Sequence, residues 1–158
     1  MDCWIDMFSR RGNTNRTLDG VSRRRAGTGY ALHRSVARVL LIDDDEPTRR
    51  LLAAVLREDG HDVIAEASNG REALELLADG CDPDVIILDL YMPVMDGWEF
   101  LAALQDAADP VPPIVVFSST DVADESLPVF ASIRKGAAIE AERLLDTVRA
   151  AADASRTQ

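Results

Sequence analysis

The sequence predicts a doubly wound α/β fold built on a five-stranded parallel sheet. Three observations lead there. From Arg38 onward, short β-rich runs alternate with runs of helical period. Two of the short runs, "VIIL" and "IVVF", are apolar at every position, as strands covered by helices on both faces must be. Gly60, Gly80 and the "DP" pairs at 82–83 and 109–110 punctuate the alternation as stops and turns. Such alternation returns each strand parallel to the last through a right-handed crossover.

Taken in order, the strands are "RVLLID" (38–43), "DVIAEAS" (62–68), "DVIILD" (84–89), "PIVVFSS" (113–119) and "VFASIR" (129–134). The first helix is "EPTRRLLAAVLRED" (46–59), where Leu51, Leu52, Val55 and Leu56 recur at the spacing of one face. "GREALELLAD" (70–79) and "GWEFLAALQDA" (97–107) follow as the second and third. The chain closes on "AIEAERLLDTVRAAA" (138–152), with Leu144, Leu145 and Val148 on one face. No internal repeat is present.

The net charge of -11 is unevenly spread. Residues 1–37 carry seven Arg against three Asp, net +4, while residues 38–158 carry ten basic and 25 acidic residues, net -15. An acidic body repels nucleic acid and anionic lipid, and suits a divalent cation or a basic protein surface. Residues 1–36, rich in Gly, Arg, Ser and Thr, have no hydrophobic period and are expected to form a disordered basic leader. A nucleic-acid-binding arm and a wrongly assigned start codon are the alternatives for that segment. Residues 37–152 form the folded domain, and 153–158 are expected to be a flexible tail. Two cysteines, Cys3 and Cys81, allow no disulfide framework or metal-ligand spacing, so a reducing cytoplasm is the simplest location. No apolar run approaches the roughly 18 residues of a membrane span, and no apolar stretch follows "RR" or "RRR" as a secretion signal requires.

In open parallel sheets, ligands bind at the carboxyl ends of the strands. Asp43 and Asp44 follow the first strand, Asp89 ends the third, Ser118 and Ser119 close the fourth, and Lys135 follows the fifth. The second strand supplies no comparable group. Clustered carboxylates raise one another's pKa unless a cation neutralises them. Mg²⁺ fits, because it takes oxygen ligands and bridges carboxylates to a phosphate oxygen. A carboxylate beside it can attack a phosphoryl group, with an ammonium and a hydroxyl on the equatorial oxygens. Lys135 is the only lysine among 17 basic residues, and a compact ammonium suits a point contact to phosphate.

"LLIDDDEPTRR" and "VIILDLYMPVMDGWEF" together resemble the receiver domain of two-component response regulators. The resemblance covers residues 38–152. It implies the flavodoxin-like strand order 2-1-3-4-5, with Asp89 as phosphate acceptor, Ser118 in place of the switch hydroxyl and Lys135 as the invariant lysine. Asp43, Asp44, Asp89 and the main-chain carbonyl of Tyr91 are the implied Mg²⁺ ligands. Tyr91 and Thr120, each two residues past a functional position, are implied to tune the lifetime of the phosphoryl group. Asp45 and Glu46 then belong to the loop and the helix start that Pro47 begins.

The sequence departs from the family in three places. Gly136 replaces the usual proline after the lysine, so no cis peptide is expected there. Ser132 stands where the family often has Tyr or Phe, and the nearest aromatic is Phe130. The short stretch "STDVADESLP" predicts a shortened or missing fourth helix between the fourth and fifth strands. An altered output face implies an unusual partner, an unusual homodimer, or a signal that ends at the phosphorylation site itself.

The resemblance points to a single-domain response regulator. It would accept a phosphoryl group from a sensor histidine kinase or histidine phosphotransfer protein and act on a downstream protein. It catalyses nothing beyond its own phosphorylation and dephosphorylation. A phosphorylation-independent adaptor is the second reading. An aspartyl-phosphate-type phosphohydrolase is the third, against which stand the position of the nucleophile and the lack of room for a substrate cap.

Overall fold

The computed structural model describes residues 36–106, 110–119, 128–136 and 139–157. The elements are β1 (Arg38–Ile42), α1 (Glu46–Glu58), β2 (Asp62–Ala67), α2 (Gly70–Ala78), β3 (Val85–Leu88), α3 (Gly97–Gln105), β4 (Ile114–Ser118), β5 (Ala131–Arg134) and α4 (Ile139–Ser155). All four strand pairings are parallel, in the order β2-β1-β3-β4-β5. The leader up to residue 35, Thr120 and the crossover at 120–127, where the shortened fourth helix was expected, lie outside the described residues.

Strand alternation sorts the apolar residues onto two faces. Val39 and Leu41 of β1, Val85 and Ile87 of β3, and Val115 and Phe117 of β4 pack with Leu52, Ala53 and Leu56 of α1 and with Leu144, Val148, Ala151 and Ala152 of α4. Their neighbours Leu40, Ile42, Ile86, Leu88, Ile114 and Val116 pack with Ala73, Leu74 and Leu77 of α2 and with Phe100, Leu101 and Leu104 of α3. Each central strand is therefore apolar throughout because each of its sides enters a different core. In α1 the buried stripe is Leu52, Ala53 and Leu56, whereas Leu51 is 65% exposed. A rotation of roughly 100° per residue carries Leu51 off the line of Leu52 and Leu56.

Helix starts follow local chemistry. Asp45 caps α1 by accepting from the Thr48 N–H at 2.9 Å, with Pro47 in the first turn. Asn69 caps α2, and Asp96 with Glu99 forms a reciprocal capping box at α3. Each such cap contributes about 1 kcal/mol. α1 and α2 stop at Gly60 and Gly80, whose φ of +93° and +100° are left-handed conformations that glycine adopts without strain.

α4 runs to Ser155, past residue 152 where its sequence pattern fades. It also ties down the chain entering β1, at the amino ends of the strands. The buried His61 Nδ1 accepts from the Ala37 N–H at 3.1 Å, and His61 Nε2 lies 3.3 Å from Asp59 Oδ2. Arg149 of α4 forks onto Asp59 at 2.6–3.1 Å, and Arg156 donates to the Val36 carbonyl at 2.8 Å. Among the described residues, no helix is long and apolar enough to cross a membrane.

Candidate functional site

Three strands deliver carboxylates or their partners to one edge of the sheet. Asp43 and Asp89 directly follow β1 and β3, which pair in register from Val39↔Val85 to Ile42↔Leu88. Strand register therefore sets the two carboxylates side by side. The Asp89 N–H donates to the Ile42 carbonyl at 2.8 Å, and the Asp43 N–H to the Ala67 carbonyl at 3.1 Å, so both residues extend the sheet ladder. Both are buried, at 2% and 5% exposure, whereas Asp44 is exposed. Carboxylate oxygens of Asp43, Asp44 and Asp89 all lie within 4.8 Å of one another.

Lys135 reaches this cluster from the far edge of the sheet. Its N–H donates to the Ser118 carbonyl at 2.7 Å, which continues the β4–β5 pairing by one residue. Its Nζ lies 2.6 Å from Asp89 Oδ2, to which it donates, and 2.7 Å from Asp43 Oδ2. Burial works against the ammonium, but its bonds to Asp43 and Asp89 outweigh burial and raise the Lys135 pKa. Burial pushes the Asp43 carboxyl up, and the opposing pull of Lys135 does not cancel it.

The remaining contacts fix orientation. Asp89 Oδ1 accepts from the Leu90 N–H at 2.7 Å and from the Tyr91 N–H at 3.4 Å, while Tyr91 as a whole is 57% exposed. Asp43 Oδ1 accepts from the Asp45 N–H at 2.9 Å. Ser118 is fully buried at the end of β4, and its Oγ has no hydrogen-bond partner among the described residues. A buried hydroxyl left so is costly unless something else binds it. The "MPVMDG" loop is held close beneath the site: Gly97 N–H donates to the Leu90 carbonyl at 3.0 Å, and a Cβ on Gly97 would fall 2.5 Å from the Asp89 carbonyl oxygen. Val94 in that loop has φ +72°, a left-handed conformation unusual for a β-branched residue. No cis peptide occurs among the described residues.

Asp43, Asp44, Asp89 and Lys135 thus meet, Ser118 adjoins Lys135 through the main chain, and Tyr91 touches Asp89 through its N–H. Thr120 lies outside the described residues. Two residues were missed in the sequence. Arg49 of α1 donates through Nη1 to the Asp43 carbonyl at 2.7 Å, and its Nε lies 3.6 Å from Glu66 Oε2. Glu66, on β2 one residue before the end, is the group that the second strand does supply. An Arg one turn into the helix after an acidic pair was the available signal. Chemically, the site offers only oxygen donors to a metal, the set a hard divalent cation takes, and two buried carboxylates that one ammonium holds together.

The family model described as response regulator receiver domain matches residues 39–137. The chain belongs to that family. This receiver domain is 33% identical over 121 residues to the chemotaxis protein CheY of Listeria monocytogenes, covering 73% of this chain and 98% of that protein. It is 44% identical over 86 residues to a protein-glutamate methylesterase/protein-glutamine glutaminase of Hahella chejuensis, and 40% identical over 92 residues to the transcriptional regulatory protein PdtaR of Mycobacterium tuberculosis. Those alignments cover 54% and 56% of this chain but 24% and 43% of the two proteins, so the chain spans less than half the length of either. Among solved structures, a CheY-like receiver domain protein from Methanospirillum hungatei superposes with a TM-score of 0.65 at 28% identity, covering 77% of this chain and 98% of that one. The response regulator domain of Thermotoga maritima CheB gives 0.62 at 27%, covering 75% and 97%. With the methylesterases, only the receiver part is shared.

Proposed function

We propose that this receiver domain accepts a phosphoryl group on Asp89 from a phosphohistidine of a sensor histidine kinase or histidine phosphotransfer protein. The reading further takes the reaction to be Mg²⁺-dependent, the setting cytoplasmic, and the output a change in binding to a downstream protein. The observation that carries it is the single ammonium of Lys135 within 2.6 Å of Asp89 Oδ2 and 2.7 Å of Asp43 Oδ2, next to the exposed Asp44.

In the transfer, a carboxylate oxygen of Asp89 forms the new O–P bond while the P–N bond of the donor breaks. The electron pair of that bond stays on the departing imidazole. Lys135 pairs with the phosphoryl oxygens as they arrive, exchanging a carboxylate partner for the new anion. Ser118 Oγ, buried and without a partner among the described residues, is supplied with an acceptor by one of those oxygens. The Leu90 N–H holds Asp89 Oδ1 and fixes the plane of the nucleophile. A Mg²⁺ held by Asp43, Asp44, Asp89 and the Tyr91 carbonyl would supply charge neutralisation on the phosphoryl oxygens. The added charge of roughly -1.5 to -2 then draws the Ser118 hydroxyl toward Asp89.

The test is incubation with acetyl phosphate and Mg²⁺, wild type beside Asp89→Asn, read by intact mass. The wild type gains one phosphoryl group and the variant none. A wild type that binds neither the phosphoryl group nor beryllofluoride leaves the phosphorylation-independent adaptor as the reading. Turnover of phosphate esters would instead favour the phosphohydrolase.

A further inference from the structure

We propose that Arg49 is a positioning residue for the acidic site, setting the peptide plane between Asp43 and Asp44 with Glu66 as its counter-ion. The inference rests on the reading of that site as the Mg²⁺ and phosphoryl site.

Asp43 is where β1 stops. Its N–H still finds a ladder partner in the Ala67 carbonyl of β2, but its own carbonyl points beyond the last strand pairing. That carbonyl belongs to the peptide unit joining Asp43 to Asp44. Arg49 Nη1 donates to it at 2.7 Å from the first turn of α1. The guanidinium therefore restrains the orientation of the peptide plane that joins the two acidic residues. The other handles of Asp43 are taken as well: Oδ1 by the Asp45 N–H at 2.9 Å and Oδ2 by Lys135 at 2.7 Å. Asp44 follows directly on that peptide, so its main chain leaves from the plane that Arg49 holds.

Arg49 is built for this task. Its side chain is only 17% exposed, although α1 is a surface helix and its neighbour Arg50 is 77% exposed. Its Nε faces Glu66 Oε2 at 3.6 Å, and Glu66 is itself approached by Arg57 at 3.4 Å. Glu66 thus holds the guanidinium in place and offsets part of its charge, which it shares with Arg57. A planar donor fork can bond a carbonyl and face a carboxylate at once; a lysine ammonium reaches a single point. Groups that orient metal ligands in this way commonly set affinity by about tenfold or more when removed.

Charge and position make opposite predictions here. If Arg49 acted only through its positive charge, Arg49→Met would tighten Mg²⁺ binding. If it positions the ligands, Arg49→Met weakens binding although a repelling charge has gone, and Arg49→Lys weakens it although the charge is kept. The experiment is titration calorimetry of the full unphosphorylated chain with MgCl₂, for wild type, Arg49→Lys, Arg49→Met and Glu66→Gln. Thermal unfolding in EDTA accompanies it, to compare only folded protein. The expected result is a loss of about tenfold in Mg²⁺ affinity for Arg49→Met, a smaller loss for Arg49→Lys, and a still smaller one for Glu66→Gln. Affinity in Arg49→Met equal to or tighter than wild type overturns the proposal, as does wild-type affinity in Arg49→Lys should Arg49→Met not fold. A wild type that takes Mg²⁺ and phosphoryl while the variants match it removes the role of Arg49 alone. A wild type that binds no Mg²⁺ removes the functional reading with it.

Discussion

Lys135 donates to Asp89 across the width of two strands, Nζ to Oδ2 at 2.6 Å, and the same ammonium touches Asp43 at 2.7 Å. One cation is thus shared by two buried carboxylates. Removing it in Lys135→Met leaves them facing each other, a loss of about 2–4 kcal/mol for an ion cluster broken on one side. A divalent cation would relieve the same repulsion. Lys135→Met is therefore expected to unfold at lower temperature than wild type in EDTA, and to recover more than wild type does when Mg²⁺ is added. It is also expected to lose at least tenfold in the rate of labelling by acetyl phosphate. Equal Mg²⁺-induced shifts in the two melting curves would mean that Lys135 does not carry this balance.

Gly97 and Gly70 look alike in sequence, each opening a helix, yet they face different neighbours. A Cβ on Gly97 would lie 2.5 Å from the Asp89 carbonyl oxygen and 2.7 Å from Leu90 Cα, both main-chain atoms. On Gly70 the nearest atom would be Met95 Cγ at 2.7 Å, part of a flexible side chain. Gly97→Ala must push α3 away from the loop that carries Asp89, whereas Gly70→Ala can be met largely by a new Met95 rotamer. The expected penalties are about 3 kcal/mol for Gly97→Ala and about 1 kcal/mol for Gly70→Ala by urea unfolding. The first should also slow phosphoryl uptake. The reverse order of stabilities would show that the α3 start is not held as closely as the geometry indicates.

Much of this was legible in the residues. The fully apolar "VIIL" and "IVVF" required helices on both faces, and the two separate cores supply them. The polar residues at strand ends were legible because parallel register brings such ends together, and Asp43, Asp89 and Lys135 meet as that rule requires. Arg49 and Glu66 were not, because each looks locally like a surface charge of an amphipathic element. Only the packing of α1 against β2 brings Arg49 onto the Asp43 carbonyl and Glu66 up to Arg49. Leu51 errs in the opposite sense: it is apolar but lies off the buried stripe, since period alone cannot tell the centre of a stripe from its margin.

Tyr91 lies two residues past Asp89, in main-chain contact with its carboxylate. Its N–H contacts Asp89 Oδ1 at 3.4 Å while the residue is 57% exposed. A ring there can obstruct the in-line approach of water to a phosphoryl group on Asp89. Tyr91→Asn is expected to shorten the half-life of phosphorylated protein several-fold without changing the extent of labelling at early times. Loss of the labelled species, followed by mass spectrometry after removal of the donor, measures it. An unchanged half-life would remove the ring from any part in hydrolysis.

Acid sensitivity should have a traceable source at the start of α2. Glu72 Oε2 accepts from both the N–H and the hydroxyl of Ser68 at 2.7 Å, and these bonds, the main-chain one foremost, hold the Glu72 carboxyl below its ordinary pKa. A carboxylate whose folded pKa is depressed binds fewer protons in the native state than in the unfolded one. Its stabilising contribution is therefore complete above the unfolded carboxylate range and is lost as pH falls through the folded value. Glu72 is exposed, so solvent screening limits the effect to roughly 0.5–1 kcal/mol. Glu72→Gln should be less stable than wild type by that amount at neutral pH. The difference should shrink as pH drops below the ordinary carboxylate range, where wild-type Glu72 is itself protonated. Urea unfolding of both proteins at neutral and acid pH checks this, and a gap that stays constant with pH would assign the loss to packing rather than to the charge.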